Sequence, residues 1–187
     1  MLKQVPNLLT TLRILLAAPV AWLIIEGEFS LVLVLAFIAG VTDGLDGWIA
    51  RRFNAQSRYG AIADPISDKA LLIGTFVSLA WVGLVPEWVA WLVVARDVVI
   101  LTGAICYHWL YGRYDMAPSF WGKASTLVQI CFALMVLTQQ VTPVFTAEVF
   151  QGMLWLLIAL AIISGGNYIK VWGGKAMTHA SANTPDN

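Results

Sequence analysis

The stretch DGLDGWIARRFNAQSRYGAIADPISD, residues 43–68, carries four carboxylates in a chain that is otherwise strongly apolar. Its first half spaces two aspartates and two small residues at i, i+3, i+4 and i+7, which is one face of a helix. These residues are Asp43, Asp46, Gly47 and Ala50. The second half spaces Gly60, Asp64 and Asp68 at i, i+4 and i+8, which is one face of a second helix. Packed together, the two faces would place four carboxylates around one cavity.

Four carboxylates around one cavity repel one another unless cations neutralise them. Oxygen ligands suit a hard ion such as magnesium, manganese or calcium better than they suit zinc. A run of charges is more often a solvated helix face, but hydrophobic segments flank this one on both sides. Ionisable groups at membrane depth are costly and indicate function. The sequence therefore predicts a divalent-cation site formed by Asp43, Asp46, Asp64 and Asp68.

Composition places the chain in the membrane class. Its 187 residues are 59% hydrophobic and 12% charged, and the mean hydropathy is +0.77. We predict one membrane domain, residues 1–177, followed by a polar disordered tail, residues 178–187. The net charge is zero, which does not favour a nucleic-acid partner. Cys106 and Cys131 lie in apolar stretches, so we expect two buried packing thiols.

Six apolar segments of about one bilayer thickness predict an all-α integral membrane protein with six transmembrane helices. They are residues 7–25, 31–52, 61–85, 86–110, 123–141 and 147–172. The first segment also has some character of a signal peptide, but five more segments follow it and no clear cleavage context is present. We expect the sixth to be broken at Gly165-Gly166, near its end.

Charged residues are divided between the two ends of these segments. The connections at 26–30, 84–87 and 141–148 hold only acidic charges: Glu26, Glu28, Glu87 and Glu148. The opposite ends hold the basic residues Lys3, Arg51, Arg52, Arg58, Arg113, Lys123, Lys170 and Lys175. The positive-inside rule then predicts that both termini and the active site lie on the cytoplasmic side. We expect a multi-pass protein of the bacterial inner (cytoplasmic) membrane.

The pattern D-x2-D-G-x2-A-R-x8-G-x3-D-x3-D in this stretch resembles the signature of the CDP-alcohol phosphatidyltransferases. All eight fixed positions are matched, by Asp43, Asp46, Gly47, Ala50, Arg51, Gly60, Asp64 and Asp68. The resemblance implies an integral membrane enzyme that transfers a phosphatidyl group from a CDP-linked lipid to an alcohol and releases CMP. It also implies magnesium or manganese as cofactor and, since relatives are commonly dimers, a homodimer.

The same resemblance implies roles for individual residues. Asp43, Asp46, Asp64 and Asp68 are metal ligands, and Asp68 is also our candidate for the general base that takes the proton of the acceptor hydroxyl. Arg51 can bind a phosphate with two hydrogen bonds. The expected CDP-lipid-binding residues are Asn7, Thr10, Arg13, Asp43, Gly47, Ala50, Arg51, Ser57 and Gly60. For the first three, the alternative is a helix cap with a snorkelling arginine.

The acceptor is predicted from two further segments. ARDVVILTGA, residues 95–104, and PSFWGKASTLVQ, residues 118–129, resemble the cardiolipin synthases of the mitochondrial type, whose acceptor is phosphatidylglycerol. Phosphatidylglycerophosphate synthases, the alternative, carry an extra basic residue in each segment to bind glycerol 3-phosphate. We therefore predict CDP-diacylglycerol and phosphatidylglycerol as substrates, with Arg96, Arg113 and Lys123 binding the acceptor. Arg96 and Asp97 are expected to form a buried ion pair or a link to the active site.

An ion transporter is a remote alternative for a six-span protein with buried acids. A transporter would spread its acids along a path through the bilayer, whereas these four cluster near one face, and no inverted repeat is visible.

Overall fold

The computed structural model describes residues 5–52, 58–111 and 120–182, and within them it contains six helices. They are α1 (Val5–Ile25), α2 (Phe29–Arg52), α3 (Arg58–Trp81), α4 (Glu87–Tyr111), α5 (Phe120–Val141) and α6 (Ala147–Ala182). The predicted all-α fold with six helices in this order is confirmed. The three acidic segments fall at the connections α1–α2, α3–α4 and α5–α6, as expected.

Two of the helices end in the same glycine cap. The N–H of Gly27 donates to the carbonyl of Ile24, and the N–H of Glu28 donates to that of Leu23. At the end of α3, Gly83 and Leu84 repeat both bonds, to Ala80 and Leu79. Both glycines have positive φ, 79° and 77°, which an L side chain adopts only with strain. This cap ends α3 at Trp81, four residues before the predicted end at 85.

The sixth helix corrects two expectations. α6 runs without interruption through Gly165 and Gly166, which we expected to break it. Glycine weakens a helix by only about 1 kcal/mol per residue, and an apolar surrounding requires backbone groups to bond within their own segment. Residues 178–182, expected to begin a disordered tail, continue the helix, and Met177 and the alanines near its end favour it. The domain boundary at 177 stays a prediction.

The chain divides into two compact units. Unit 1 comprises Met1–Trp91 and Ala133–Thr146. Within it, α1 packs against both α2 and α3. Large apolar side chains are buried on these helices, among them Ile24, Val32 and Phe76. A Cβ added at Gly74 of α3 would meet the Ala17 carbonyl of α1 at 3.7 Å, so small residues bring these two backbones close together.

Unit 2 comprises Leu92–Phe132 and Ala147–Asn187. Its buried apolar side chains include Val93, Phe132 and Leu157. The ring of Phe132 meets that of Phe150 edge to face, with the ring centroids 6.5 Å apart. This unit also buries a group of polar side chains, which is described below with the candidate site.

Apolar side chains are exposed along several helices, among them Phe37, Trp91 and Trp155. Such surfaces are expected where a helix faces lipid. Among the described residues, Phe120–Val141 and Ala147–Tyr168 are long and apolar enough to cross a membrane. The other four spans stay predictions. Cys131 is exposed, so the expectation that it is a buried packing thiol is wrong; an apolar position on a membrane helix can face outward. The side chain of Cys106 lies outside the described ones.

Candidate functional site

The helices that carry the predicted metal and CDP-lipid residues all belong to unit 1. α1 holds three of these residues, α2 holds five and α3 holds three. They are, in this order, Asn7, Thr10 and Arg13; Asp43, Asp46, Gly47, Ala50 and Arg51; and Gly60, Asp64 and Asp68. Because α1 packs against both α2 and α3, the structure brings the three helices together. The side chains of these residues, and Ser57 as a whole, lie outside the described ones, so their roles stay predictions.

The buried stripes of α2 and α3 lead to the aspartate positions. On α2, Val32 and Ala39 are buried seven residues apart, and the helical register continues this stripe to positions 43 and 46. On α3, Leu72 and Phe76 are buried four residues apart, and the register continues this stripe back to positions 68 and 64. The pairing of the two acidic faces stays a prediction.

The donor set at these positions fits a hard divalent cation. Four carboxylates supply only oxygen ligands, which magnesium and manganese prefer. Among the side chains that the structure describes, no group of three His, Cys, Asp or Glu could hold a metal ion. The predicted cation site thus depends on Asp43, Asp46, Asp64 and Asp68, which are not part of that described set.

The predicted buried ion pair of α4 is confirmed. Arg96 and Asp97 are 6% and 1% exposed, and Nη1 of the guanidinium lies 2.5 Å from Oδ1 of the carboxylate. Nη2 donates to Oγ of Ser164 on α6 at 2.7 Å and to the carbonyl of Gly122 on α5 at 3.2 Å. The guanidinium therefore joins the α4, α5 and α6 segments of unit 2. Its charge is balanced by the neighbouring carboxylate.

The other two predicted acceptor residues are Lys123 and Arg113. Lys123 follows Gly122 near the start of α5 and is exposed, so its ammonium is accessible to a ligand. Arg113 lies outside the described residues. Lys123 is thus the one described and accessible cation among the three predicted acceptor residues.

Sequence reasoning gave no role to three polar residues that are buried in unit 2: Ser125, Gln129 and Ser164. Ser164 is buried and accepts from Arg96. Ser125 and Gln129 lie in the segment 118–129 that resembles the cardiolipin synthases of the mitochondrial type, but the resemblance assigns neither of them a role. The signal that could have marked all three is a polar side chain inside an apolar helix, which must either find a partner or bind something.

Known proteins similar to this chain point to one family. The family model described as CDP-alcohol phosphatidyltransferase matches residues 3–163, which include the whole motif. A probable cardiolipin synthase (CMP-forming) of Drosophila melanogaster is 32% identical over 85% of this chain and 54% of its own length. The cardiolipin synthase (CMP-forming) of Homo sapiens is 30% identical over 92% of this chain and 62% of its own length.

A second kind of relative is also similar. A probable phosphatidylglycerophosphate synthase of Mycobacterium tuberculosis is 31% identical over 90% of this chain and 81% of its own length. The chain spans less than two thirds of the fly and human relatives but most of the mycobacterial one. The family consists of membrane proteins and is generally dependent on divalent cations. With its motif, its six helices and a match to most of its length, the chain belongs to the CDP-alcohol phosphatidyltransferase family.

Proposed function

We propose that this protein transfers the phosphatidyl group of CDP-diacylglycerol to phosphatidylglycerol, giving cardiolipin and CMP. The observation that carries the proposal is the complete eight-residue motif, inside the matched residues and on two helices that pack against α1. The similarity to cardiolipin synthases over 85% and 92% of the chain supports the choice of acceptor.

The proposed reaction assigns a task to each part of the motif. Asp68 takes the proton of the acceptor hydroxyl, whose oxygen attacks the phosphorus on the diacylglycerol side of the pyrophosphate. The bond from that phosphorus to the CMP oxygen breaks, and CMP leaves. Arg51 binds a phosphate of the CDP group with two hydrogen bonds. Magnesium or manganese, held by Asp43, Asp46, Asp64 and Asp68, would neutralise charge on the pyrophosphate.

The balance of charge in unit 2 favours a monoanionic acceptor. Glycerol 3-phosphate carries a phosphate dianion, whereas phosphatidylglycerol carries a monoanionic diester. Arg96 is already bound to Asp97, Ser164 and Gly122, so it adds little free positive charge. That leaves Lys123 and Arg113 as the predicted cations for the acceptor phosphate, and Arg96 as a neutralised donor. Each acceptor segment lacks the extra basic residue of the phosphatidylglycerophosphate synthases, so less positive charge is available to bind a second dianion near the pyrophosphate.

Phosphatidylglycerophosphate synthase is the second candidate. It is favoured by the mycobacterial relative, of which this chain covers 81%. In that case glycerol 3-phosphate would be the acceptor, and the product would be phosphatidylglycerophosphate. The CDP-lipid part of the site would be the same.

The membrane arrangement that fits this reaction has six spans, with both termini and the motif at the cytoplasmic side. This arrangement lets a water-soluble nucleotide group approach the motif from the cytoplasm. Acidic connections after α1, α3 and α5 support the orientation, since basic residues collect at the other ends. We place the protein in the bacterial inner membrane and propose that it forms a homodimer.

The test is CMP release by the purified protein in detergent micelles. CDP-diacylglycerol is supplied with one of four acceptors in turn: phosphatidylglycerol, glycerol 3-phosphate, inositol phosphate or serine. We expect the fastest release with phosphatidylglycerol and little without any acceptor. Fastest release with glycerol 3-phosphate would favour the second candidate. If no acceptor supports CMP release, the proposed phosphatidyl transfer is contradicted and the remote alternative, an ion transporter, is favoured.

A further inference from the structure

Gly74 is a glycine inside α3 that lies against another helix of unit 1. A Cβ added there would meet the carbonyl oxygen of Ala17 on α1 at 3.7 Å. At Gly40 and Gly152, by contrast, an added Cβ would meet nothing within 4 Å. Glycine weakens a helix relative to alanine, so a glycine at a helix–helix contact indicates that close approach of the two backbones matters there.

The side of α3 that carries Gly74 is formed by small residues. Ser67 stands seven residues before Gly74 and Ser78 four residues after it, which places all three on one side of the helix. The two serines are 0% and 4% exposed. Small residues along one side of a helix let a neighbouring helix approach closely in an apolar surrounding. The neighbour that packs along α3 is α1.

The connections between the helices show that α1 and α3 run in the same direction. Residues 26–28 join α1 to α2, and these two helices pack together, so α2 runs back along α1. Residues 53–57 join α2 to α3 and can reach at most about 20 Å, whereas α3 is about 36 Å long. Because α3 also packs along α1, it begins near the end at which α1 begins.

The contact between Ala17 and Gly74 sets the register of this parallel pair. Seven residues back along each helix, about two turns, position 10 of α1 comes level with position 67 of α3. Position 10 is the middle one of the three predicted CDP-lipid residues of α1, and position 67 directly precedes Asp68. The start of α1 is therefore level with the part of α3 that carries two of the predicted metal ligands.

We propose that Gly74 is a positioning residue for CDP-lipid binding: by letting α1 approach α3, it holds the start of α1 level with the aspartate positions of α3. The inference rests on the proposed function, in which Asn7, Thr10 and Arg13 bind the CDP-lipid. The predicted metal ligands lie on α2 and α3, and α1 carries none of them and none of the predicted acceptor residues. Displacing α1 should therefore weaken CDP-lipid binding more than metal or acceptor binding.

The experiment varies the size of residue 74 in the full-length protein in mixed micelles. Gly74→Ala adds only a Cβ, which fits because 3.7 Å is an ordinary van der Waals distance. Gly74→Val adds a branched pair of methyl groups on a stiff side chain, which cannot turn both of them away from α1. Gly152→Val, the same change at an exposed glycine of α6, is the matched control.

We expect Gly74→Val to raise the KM for CDP-diacylglycerol about 10-fold to 100-fold, since a misplacement of about 1 Å caused by a distant residue can cost that much. The KM for phosphatidylglycerol and the magnesium concentration for half-maximal rate should stay close to wild type. Gly74→Ala and Gly152→Val should resemble wild type in all three quantities. If Gly74→Val does not fold, Gly74→Cys, which adds only a sulfur beyond Cβ, carries the same comparison with a smaller change.

The outcomes separate this inference from the proposed function. An unchanged KM for CDP-diacylglycerol in Gly74→Val, or an equal rise in all three quantities, would overturn the positioning role and leave cardiolipin synthesis standing. A loss in Gly74→Ala as large as that in Gly74→Val would also overturn it, because a lone Cβ displaces nothing. A wild-type protein that releases no CMP from CDP-diacylglycerol would overturn the proposed function and the positioning role together.

Discussion

The chain places charged residues within apolar helices in two regions, and the two regions differ in how the carboxylates are arranged. The motif of α2 and α3 brings four aspartates within 26 residues, with the basic residues Arg51, Arg52, Arg58 and Lys69 in or next to the same stretch. In α4, one arginine and one aspartate stand side by side and are bonded to each other. A bonded pair can be buried as part of the structure, whereas four carboxylates predicted to surround one cavity require cations between them. We therefore propose that the first region does the chemistry and that the second holds helices together.

Chelation should have the largest effect, because only the acidic region needs an ion. With excess EDTA we expect CMP release to fall about 1,000-fold or more, since a bound cation contributes several kcal/mol to such a transition state. Added magnesium or manganese should restore it. Full turnover in excess chelator would show that the acidic region needs no ion and would contradict the predicted cation site.

Asp68→Asn should abolish transfer while leaving CDP-diacylglycerol binding largely intact. Loss of a general base lowers turnover by about 100-fold to 10,000-fold, and the amide keeps the shape of the side chain. Turnover is measured by CMP release and binding by titration with the lipid. Glu87→Gln, the same change at an exposed acid, should resemble wild type. Retention of about a tenth of wild-type turnover would contradict the assignment of the base.

Asp43→Asn should differ from Asp68→Asn by weakening binding as well as turnover. Asp43 is predicted to contact both the metal and the nucleotide, so its loss should raise the magnesium concentration needed for half-maximal rate. It should also weaken CDP-lipid binding, measured by the same titration. Unchanged values of both would place Asp43 outside the metal site.

Substitutions in the Arg96–Asp97 pair should lower the free energy of unfolding, because this pair holds helices together. Arg96→Met or Asp97→Asn alone leaves a buried partner without its bond and should cost about 3–5 kcal/mol of unfolding free energy. The double variant Arg96→Met/Asp97→Leu should cost less than either single change, because no unpaired charge remains. Denaturant unfolding in detergent measures all three. Additive losses would show that the two side chains are not coupled.

The sequence allowed the number, order and approximate limits of the helices to be predicted, because hydrophobic length alone specifies them. It also predicted the ion pair, since charged side chains within an apolar run are costly to bury unless they are paired. The length of the apolar segment does not predict where α3 ends, because the cap that ends this helix requires a positive φ at Gly83. The bond from Arg96 to Ser164 joins residues 68 apart, which no local pattern connects.

The grouping of the aspartates could be predicted from the sequence, whereas the buried polar side chains of α5 could not. Fixed spacing on two consecutive helices places the aspartates, so the helical register is sufficient to group them. Ser125 and Gln129 are conspicuous only through their burial and the absence of protein partners for their polar atoms. Burial of this kind depends on packing in three dimensions and cannot be read from the order of residues.

The most direct test of the proposed activity is a competition between acceptors. Equal concentrations of phosphatidylglycerol and glycerol 3-phosphate are supplied with labelled CDP-diacylglycerol, and the products are separated by thin-layer chromatography. Each missing contact to a phosphate dianion costs about 1.5–3 kcal/mol, so we predict that cardiolipin exceeds phosphatidylglycerophosphate about 10-fold or more. A dominant phosphatidylglycerophosphate spot without cardiolipin would contradict the proposed acceptor.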